Sequence, residues 1–160
     1  MRFLTLLIAV FAAIATLCAE DIPDDAQKAI AVFEKGATDA DAKTTDAVAK
    51  HEQVLKDELR KIIEKETKAH HSDNVRRLKD YLEDPANKST ADLPDTAAEA
   101  IAERERKVLE IQTKASNESM KRQGALAKSL QRVHERETKA GHIEAAALVK
   151  QYLDTHVDKG

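Results

Sequence analysis

The sequence is poor in the residues that build disulfide frameworks, active-site loops and thick aromatic cores. Its 160 residues include one cysteine, four glycines, three prolines and no tryptophan, and aromatic residues make up only 3%. A single cysteine excludes an internal disulfide framework, and four glycines leave little backbone for a phosphate-binding loop. Such a composition favours a fold in which helices bury aliphatic seams, and it disfavours a thick aromatic core.

Recognisable catalytic motifs are also missing. No serine lies in a Gly-x-Ser-x-Gly setting, and there is no His-Glu-x-x-His pair and no calcium-binding EF-hand loop. The acids Glu64 and Glu66 recur as Glu135 and Glu137, but residues two apart on a helix point in different directions and make a poor acid–base pair. We therefore expect a protein that is not an enzyme and that uses no cofactor.

The charge pattern argues against a nucleic-acid partner. Charged residues make up 34% of the chain, and the formal net charge is −3. Lysine and arginine alternate with aspartate and glutamate along the sequence, which is typical of a solvated helix surface. A nucleic-acid-binding protein would usually carry an excess of basic residues on one face.

The N-terminus has the layout of a secretory signal peptide. Arg2 supplies the positive charge, residues 3–17 form an apolar run, and Ala19 precedes two acidic residues. This pattern predicts cleavage after Ala19, export to the periplasm or the medium, and no membrane span in the mature chain. Because Leu17 is large for its position before the cleavage site, an uncleaved anchor remains the alternative, although the run is shorter than the ~20 residues of a membrane-spanning helix.

Cys18 is the only cysteine, and it lies inside the predicted signal peptide. A lipoprotein signal places a small residue directly before the modified cysteine, and Leu17 is not small. Cleavage after Ala19 would leave a mature chain with no cysteine in a compartment where disulfides can form. Its stability would then depend on helix packing.

The chain contains one unit twice. Residues 64–71 read Glu-Lys-Glu-Thr-Lys-Ala-His-His and residues 135–142 read Glu-Arg-Glu-Thr-Lys-Ala-Gly-His, an offset of about 71 residues. The register holds without gaps between about 25–84 and 96–155, where roughly three positions in ten are identical. We therefore divide the chain into a signal peptide at 1–19, a first hairpin repeat at 20–84, a linker at 85–95 and a second hairpin repeat at 96–160.

Each repeat has the pattern of a long helix followed by a short return helix. Apolar residues recur every three or four positions in the long segments, which predicts one apolar stripe along each helix. The predicted stripes comprise Leu55, Leu59, Ile62, Glu66 and Ala69, and Leu126, Leu130, Val133, Glu137 and Ala140. The stripes of the return helices comprise Val75, Leu78 and Leu82, and Ala146, Val149 and Leu153. A turn of about three residues makes the two helices of a hairpin antiparallel neighbours.

The sequence thus predicts an all-α fold, a tandem duplication of this hairpin arranged as an elongated coiled-coil-like structure or a helical bundle. The beginnings of the long helices, about 30–50 and 101–120, have Ala-rich or polar seams and no partner within their own hairpin. We expect these parts to be stable only if they pair with each other or with another molecule. Poor helix formers at 36–45 and 116–124 indicate places where either long helix could break.

The turn residues are predicted to be structural. Gly141 suits the left-handed position that ends many helices, and His70 occupies its place in the first repeat, where a non-glycine residue costs some strain. Glu66 and Glu137 lie near the start of a return helix, where a carboxylate can accept backbone N–H groups and complement the helix dipole. The predicted structural residues are Glu66, Thr67, Ala69, Glu137, Thr138, Ala140 and Gly141.

Residues 137–153, Glu-Thr-Lys-Ala-Gly-His-Ile-Glu-Ala-Ala-Ala-Leu-Val-Lys-Gln-Tyr-Leu, resemble a helical-hairpin repeat of secreted proteins of planctomycete-type bacteria. In that repeat a long helix with regularly spaced leucines leads into Thr-Lys-Ala-Gly. The first repeat departs from the pattern at His70, Asn74, Arg76 and Arg77. The resemblance implies a helical hairpin and export. It implies no mechanism, because the family has no established activity.

Histidines at the turns are the candidates for a metal site. His70 and His71 lie at the first turn, and His142 lies at the second, with His134 on the helix before it. Histidine together with carboxylates can bind zinc or copper, but a tight site needs three or four ligands that converge. We favour solvated turn residues that hydrogen-bond the last helical carbonyls.

Tyr81 and Tyr152 are equivalent residues of the two return helices, and we expect packing against the neighbouring helix rather than a role as partner anchors. The sequence as a whole predicts an exported, non-enzymatic structural or protein-interaction module. It would bind a protein partner, or itself, through its helix seams. The alternative is a periplasmic metal-binding protein that uses the turn histidines.

Overall fold

The computed structural model describes residues 22–85 and 89–156. Within these ranges the chain is all-α and has no β-strand. The helices are α1 Asp24–Lys68, α2 Ser72–Glu83, α3 Asp95–Lys139 and α4 Ile143–His156. The predicted signal peptide, with Cys18 and the cleavage site, lies outside the described residues.

The helices repeat with the offset read from the sequence. Both long helices have 45 residues, and their first residues, Asp24 and Asp95, are equivalent. Each long helix begins directly after a proline whose carbonyl accepts two backbone N–H groups. Pro23 accepts from Ala26 and Gln27, and Pro94 accepts from Ala97 and Ala98. The all-α duplication of a long helix, a turn and a short helix is therefore confirmed.

Neither long helix breaks at its weak segment, so that expectation was wrong. Helix α1 runs through 36–45 and α3 runs through 116–124 without interruption. The hydroxyls of Thr38 and Thr44 donate to the carbonyls of Glu34 and Ala40, one turn earlier on α1. These threonines therefore satisfy their polar groups on the helix itself and need no turn or cap.

The described chain divides into two compact units. The continuous unit is Asp39–Asn117, which contains the end of α1, all of α2 and the beginning of α3. The split unit joins the described residues up to Thr38 to those from Glu118 onwards, so it contains the beginning of α1, the end of α3 and all of α4. Each unit thus takes segments from both repeats and does not coincide with either hairpin.

The core of the continuous unit is aliphatic apart from one tyrosine. Its buried side chains are Leu55, Leu59, Leu78, Tyr81, Leu93, Ala97 and Ile101. Leu59 and Leu78 are fully buried and join α1 to α2, as the hairpin stripes predict. The members outside the predicted first hairpin are Ala97 and Ile101 from the second repeat, together with Leu93 from the predicted linker. They pack in one core with the buried residues of α1 and α2.

The split unit has an equivalent core with the repeats exchanged. Its buried side chains are Ala26, Leu126, Leu130, Val133 and Val149, with Ile22, Ala29, Ile30, Phe33, Tyr152 and Leu153 packed against them. Leu130 and Val149 are fully buried, and complete burial of such a side chain contributes about 1.5–3 kcal/mol. The start of each long helix therefore packs on the hairpin of the other repeat.

One finer point of the sequence reading changes. Ala69 and Ala140 were placed on the buried stripes, yet both are exposed because the helix has ended and the chain is already turning. Among the described helices, none combines the length and the apolarity that a membrane crossing requires.

Candidate functional site

The two turns between long and short helices have the same backbone hydrogen bonds. In the first, the N–H groups of His70 and His71 donate to the carbonyls of Thr67 and Glu66. In the second, Gly141 and His142 donate to Thr138 and Glu137. This pair of bonds defines a Schellman motif, which satisfies carbonyls that the helix end leaves free.

The residue that ends each long helix is left-handed. Gly141 has a φ of 80° and His70 a φ of 60°, a region that glycine enters without steric cost and that other residues seldom adopt. His70 nevertheless keeps the same turn, so the first turn is no looser in its hydrogen bonding than the second. The strain at His70 is balanced by the two backbone bonds that it permits.

A carboxylate lies at the centre of each turn and is bound by the histidine that follows. The Nδ1 atom of His142 lies 2.7 Å from Oε2 of Glu137, and Nδ1 of His71 lies 2.9 Å from Oε2 of Glu66. Glu137 is buried, whereas both imidazoles remain exposed. The two histidines were expected to bond helical carbonyls and the glutamates to accept backbone N–H groups. The structure pairs these side chains with each other instead.

The second donor to each carboxylate differs between the repeats. The Arg136 guanidinium donates to Oε1 of Glu137 at 2.6 Å and also to Asp25 at the start of α1. In the first repeat, Asn74 donates its amide to Glu66 at 2.7 Å. Asn74 was noted as a departure from the repeat pattern, and its place in the second repeat is taken by an alanine. The departure supplies the donor that arginine supplies in the second repeat.

These contacts lower the pKa values of the carboxyl groups they bind. The hydrogen bond from His142, followed by that from Arg136, holds the pKa of Glu137 below its ordinary value. The amide of Asn74 and then His71 do the same for the pKa of Glu66, and Arg136 lowers the pKa of Asp25. All three groups are therefore held as carboxylates, which suits a structural role and not that of a general acid.

A pH titration should expose this role. A carboxyl whose folded-state pKa is depressed adds stability above its unfolded pKa, and that stability is lost as the pH falls through the folded-state pKa. Between pH 5 and pH 3 we expect the urea midpoint of the wild type to fall more steeply than that of Glu137→Gln. The exposed Glu135→Gln is the matched control and should follow the wild type. Parallel slopes for wild type and Glu137→Gln would contradict the assignment.

The candidate metal ligands do not converge. His70 and His71 belong to the continuous unit, and His134 and His142 belong to the split unit. Within 22–85 and 89–156, no group of three or more histidine, cysteine, aspartate or glutamate side chains is placed to hold a metal ion. Each turn brings one histidine onto one carboxylate, His71 onto Glu66 and His142 onto Glu137.

The two tyrosines lie against their units. Tyr81 is buried in the core of the continuous unit, and Tyr152 packs on the core of the split unit with its ring stacked on His156 at 4.4 Å between centroids. Burial raises the pKa of each phenol, with smaller contributions from Glu105 and Glu34. Both observations fit packing.

The split unit also carries an open groove that the sequence reading missed. It encloses about 470 Å³ between the start of α1 and the end of α3. Its lining residues are Lys28, Ala29, Val32, Phe33, Gly36, Arg122, Ala125, Leu126 and Ser129. Val32 is 74% exposed. The only charged side chains of the lining are cations.

Gly36 and Arg122 meet at one end of the groove. The side chain of Arg122 crosses α1 at Gly36, and its Cδ lies 3.5 Å from the point that a Cβ there would occupy. Among the described residues Arg122 forms no salt bridge, and its Nε is buried without a hydrogen-bond partner. The sequence around Arg122 is also distinctive, because no acidic residue occurs between Glu118 and Glu135.

Comparison with known proteins adds no relative: no family model, no curated protein and no solved structure matches this chain.

Proposed function

We propose that this chain is an exported, non-enzymatic interaction module that presents an apolar surface on a helical scaffold. The observation that carries the proposal is the groove of the split unit, where apolar side chains border solvent between two helices. Amphipathic helices of partner proteins bind in apolar grooves of this kind by laying their apolar face into them. The helix seams named by the sequence are a weaker basis, because each unit buries them internally.

Export is part of this proposal and rests on the sequence. Arg2, the apolar run at 3–17 and Ala19 have the order of a signal peptide, and the likeness to secreted hairpin repeats of planctomycete-type bacteria supports the same location. We expect intact-mass analysis of cell-envelope material to find a chain that begins at Glu20. A full-length chain recovered from the cytoplasm would contradict export and leave the groove unaffected.

The interaction itself can be tested in the native host. A photoreactive amino acid at Val32 probes the groove, and the same residue at Val54 or Leu109 probes exposed apolar positions of the continuous unit. We expect a discrete cross-linked protein from position 32 that excess purified chain competes away. Absence of any competed product from all three positions would refute the interaction role.

The metal-binding alternative makes a different prediction. We would titrate zinc or copper into the protein and measure the heat of binding by calorimetry. The binding curve should saturate if the turn histidines bind metal, and we expect no binding heat. Saturable binding that His71→Ala or His142→Ala removes would replace the interaction proposal with the metal-binding one.

A further inference from the structure

The two units provide an internal comparison, because they descend from one duplicated sequence. In the continuous unit, the residue equivalent to Phe33 of the groove is Arg104, which forms a salt bridge with Glu52. In the split unit, Gln123 stands in place of Glu52 and Phe33 in place of Arg104. This salt bridge therefore has no counterpart in the split unit, where an aromatic side chain lines the groove.

The charges around the position differ in a consistent direction. Lys28 of the groove corresponds to Glu99, and Val32 corresponds to Glu103. The α3 segment 119–134 contains four basic residues and no acidic one, whereas its equivalent, 48–63, contains three acidic residues. In a chain with a net charge of −3, the groove of the split unit is thus a local region of positive charge.

The two cations of the lining are placed at opposite ends. Arg122 lies over Gly36, and Lys28 precedes Gly36 on α1 by two helical turns, about 12 Å along the axis. Between them the floor is formed by small or apolar residues, Ala29, Phe33 and Ala125. Small residues let a further helix approach closely, within the 8–10 Å typical of packed helices.

We propose that the occupant of the groove is an acidic amphipathic helix of a protein partner. Its apolar face would contact Val32 and Phe33, and two of its carboxylates, separated by about two turns, would face Lys28 and Arg122. This inference rests on the proposed function and names the chemistry of the partner.

Two other occupants fit the charges less well. A second copy docked by the same face would set Lys28 and Arg122 of one chain against those of the other, and like charges disfavour such a contact. A fatty acid has one anionic end and would leave one of the two cations unpaired. The spread of basic residues over 119–134 matches a partner whose charges are distributed along its length.

The test uses the full mature chain and a synthetic peptide of about 16 residues, which has leucines on one face and two glutamates about two turns apart at its edge. Lysine-for-glutamate and scrambled versions are the peptide controls. We expect saturable binding of the acidic peptide only, with a dissociation constant that weakens about tenfold or more in Lys28→Glu/Val32→Glu. Both substituted residues are exposed, and both changes install the residue found in the other unit.

The matched control is Val54→Glu/Lys56→Glu, which makes the same change in charge at exposed positions of the continuous unit. It should bind the peptide like the wild type. Equal binding of the lysine or scrambled peptide, equal weakening in both double variants, or binding of laurate in place of the acidic peptide would overturn the assignment. If the peptide fails while cross-linking at position 32 still yields a partner, the interaction role stands and the acidic helix does not.

Discussion

Leu130→Ala is expected to lower the free energy of unfolding by about 2–4 kcal/mol, and Leu59→Ala by a similar amount. Both leucines are fully buried, so truncation removes apolar contacts and leaves a cavity that the surrounding helices fill only in part. Leu109→Ala is the control, since Leu109 is 64% exposed, and it should change stability by no more than about 0.5 kcal/mol. Urea denaturation of the three variants measures the differences.

The same variants can show which segments of the chain unfold together as one cooperative unit. Hydrogen exchange reports which segments lose protection together. If the split unit is cooperative, Leu130→Ala should speed exchange at 24–38 as well as in α4, while 39–68 changes less. If the hairpin repeats are the cooperative units, exchange should rise throughout 96–156 and leave 24–38 unaffected. Under that second pattern the cross-repeat packing would not govern stability.

The second large effect concerns the turn. Gly141→Val should cost about 1–2 kcal/mol, because a β-branched residue is strained at positive φ. The cause is the backbone, since no atom lies within 4 Å of a Cβ added there. Substitution at this residue therefore tests the left-handed conformation without a steric clash.

Gly124→Ala is the matched control for the turn. Gly124 lies inside α3 with open space around a new Cβ, and alanine there should raise stability by about 0.5–1 kcal/mol. Thermal melts should therefore rank Gly124→Ala above wild type and Gly141→Val below it. The reverse order would mean that Gly141 does not terminate α3.

Periodicity was sufficient to predict the helices and part of the cores. The spacing correctly indicated the burial of four leucines, Leu55, Leu59, Leu126 and Leu130. A stripe of large aliphatic side chains is buried because removing apolar surface from water is favourable. The cross-repeat partners were not predictable in the same way. Ala26 and Ala97 are fully buried, but alanine is common on every helix surface, and a stripe shows which residues are buried without showing what covers them.

The details of the site were harder to predict for a related reason. Arg136 neighbours Glu137 in sequence, and adjacent helical residues point apart, yet the long guanidinium folds back to reach the carboxylate. The acid-free segment 119–134 can be read from the sequence. The sequence does not show that this segment lines a groove. The other wall of the groove includes Phe33 and Gly36, which lie about ninety residues earlier in the chain and contact the segment only in the folded protein.

The division into a continuous and a split unit also sets an order of assembly. Residues 39–117 are continuous in sequence, so this unit can fold once that segment has been synthesised. The split unit also needs α4, and it must bring together two segments that are separated by the whole of the other unit. Closing a long loop costs conformational entropy, and contacts distant in sequence form slowly. A folded continuous unit shortens that loop. We therefore expect this chain to fold from its middle outwards, with its N-terminal helical segment among the last to be secured.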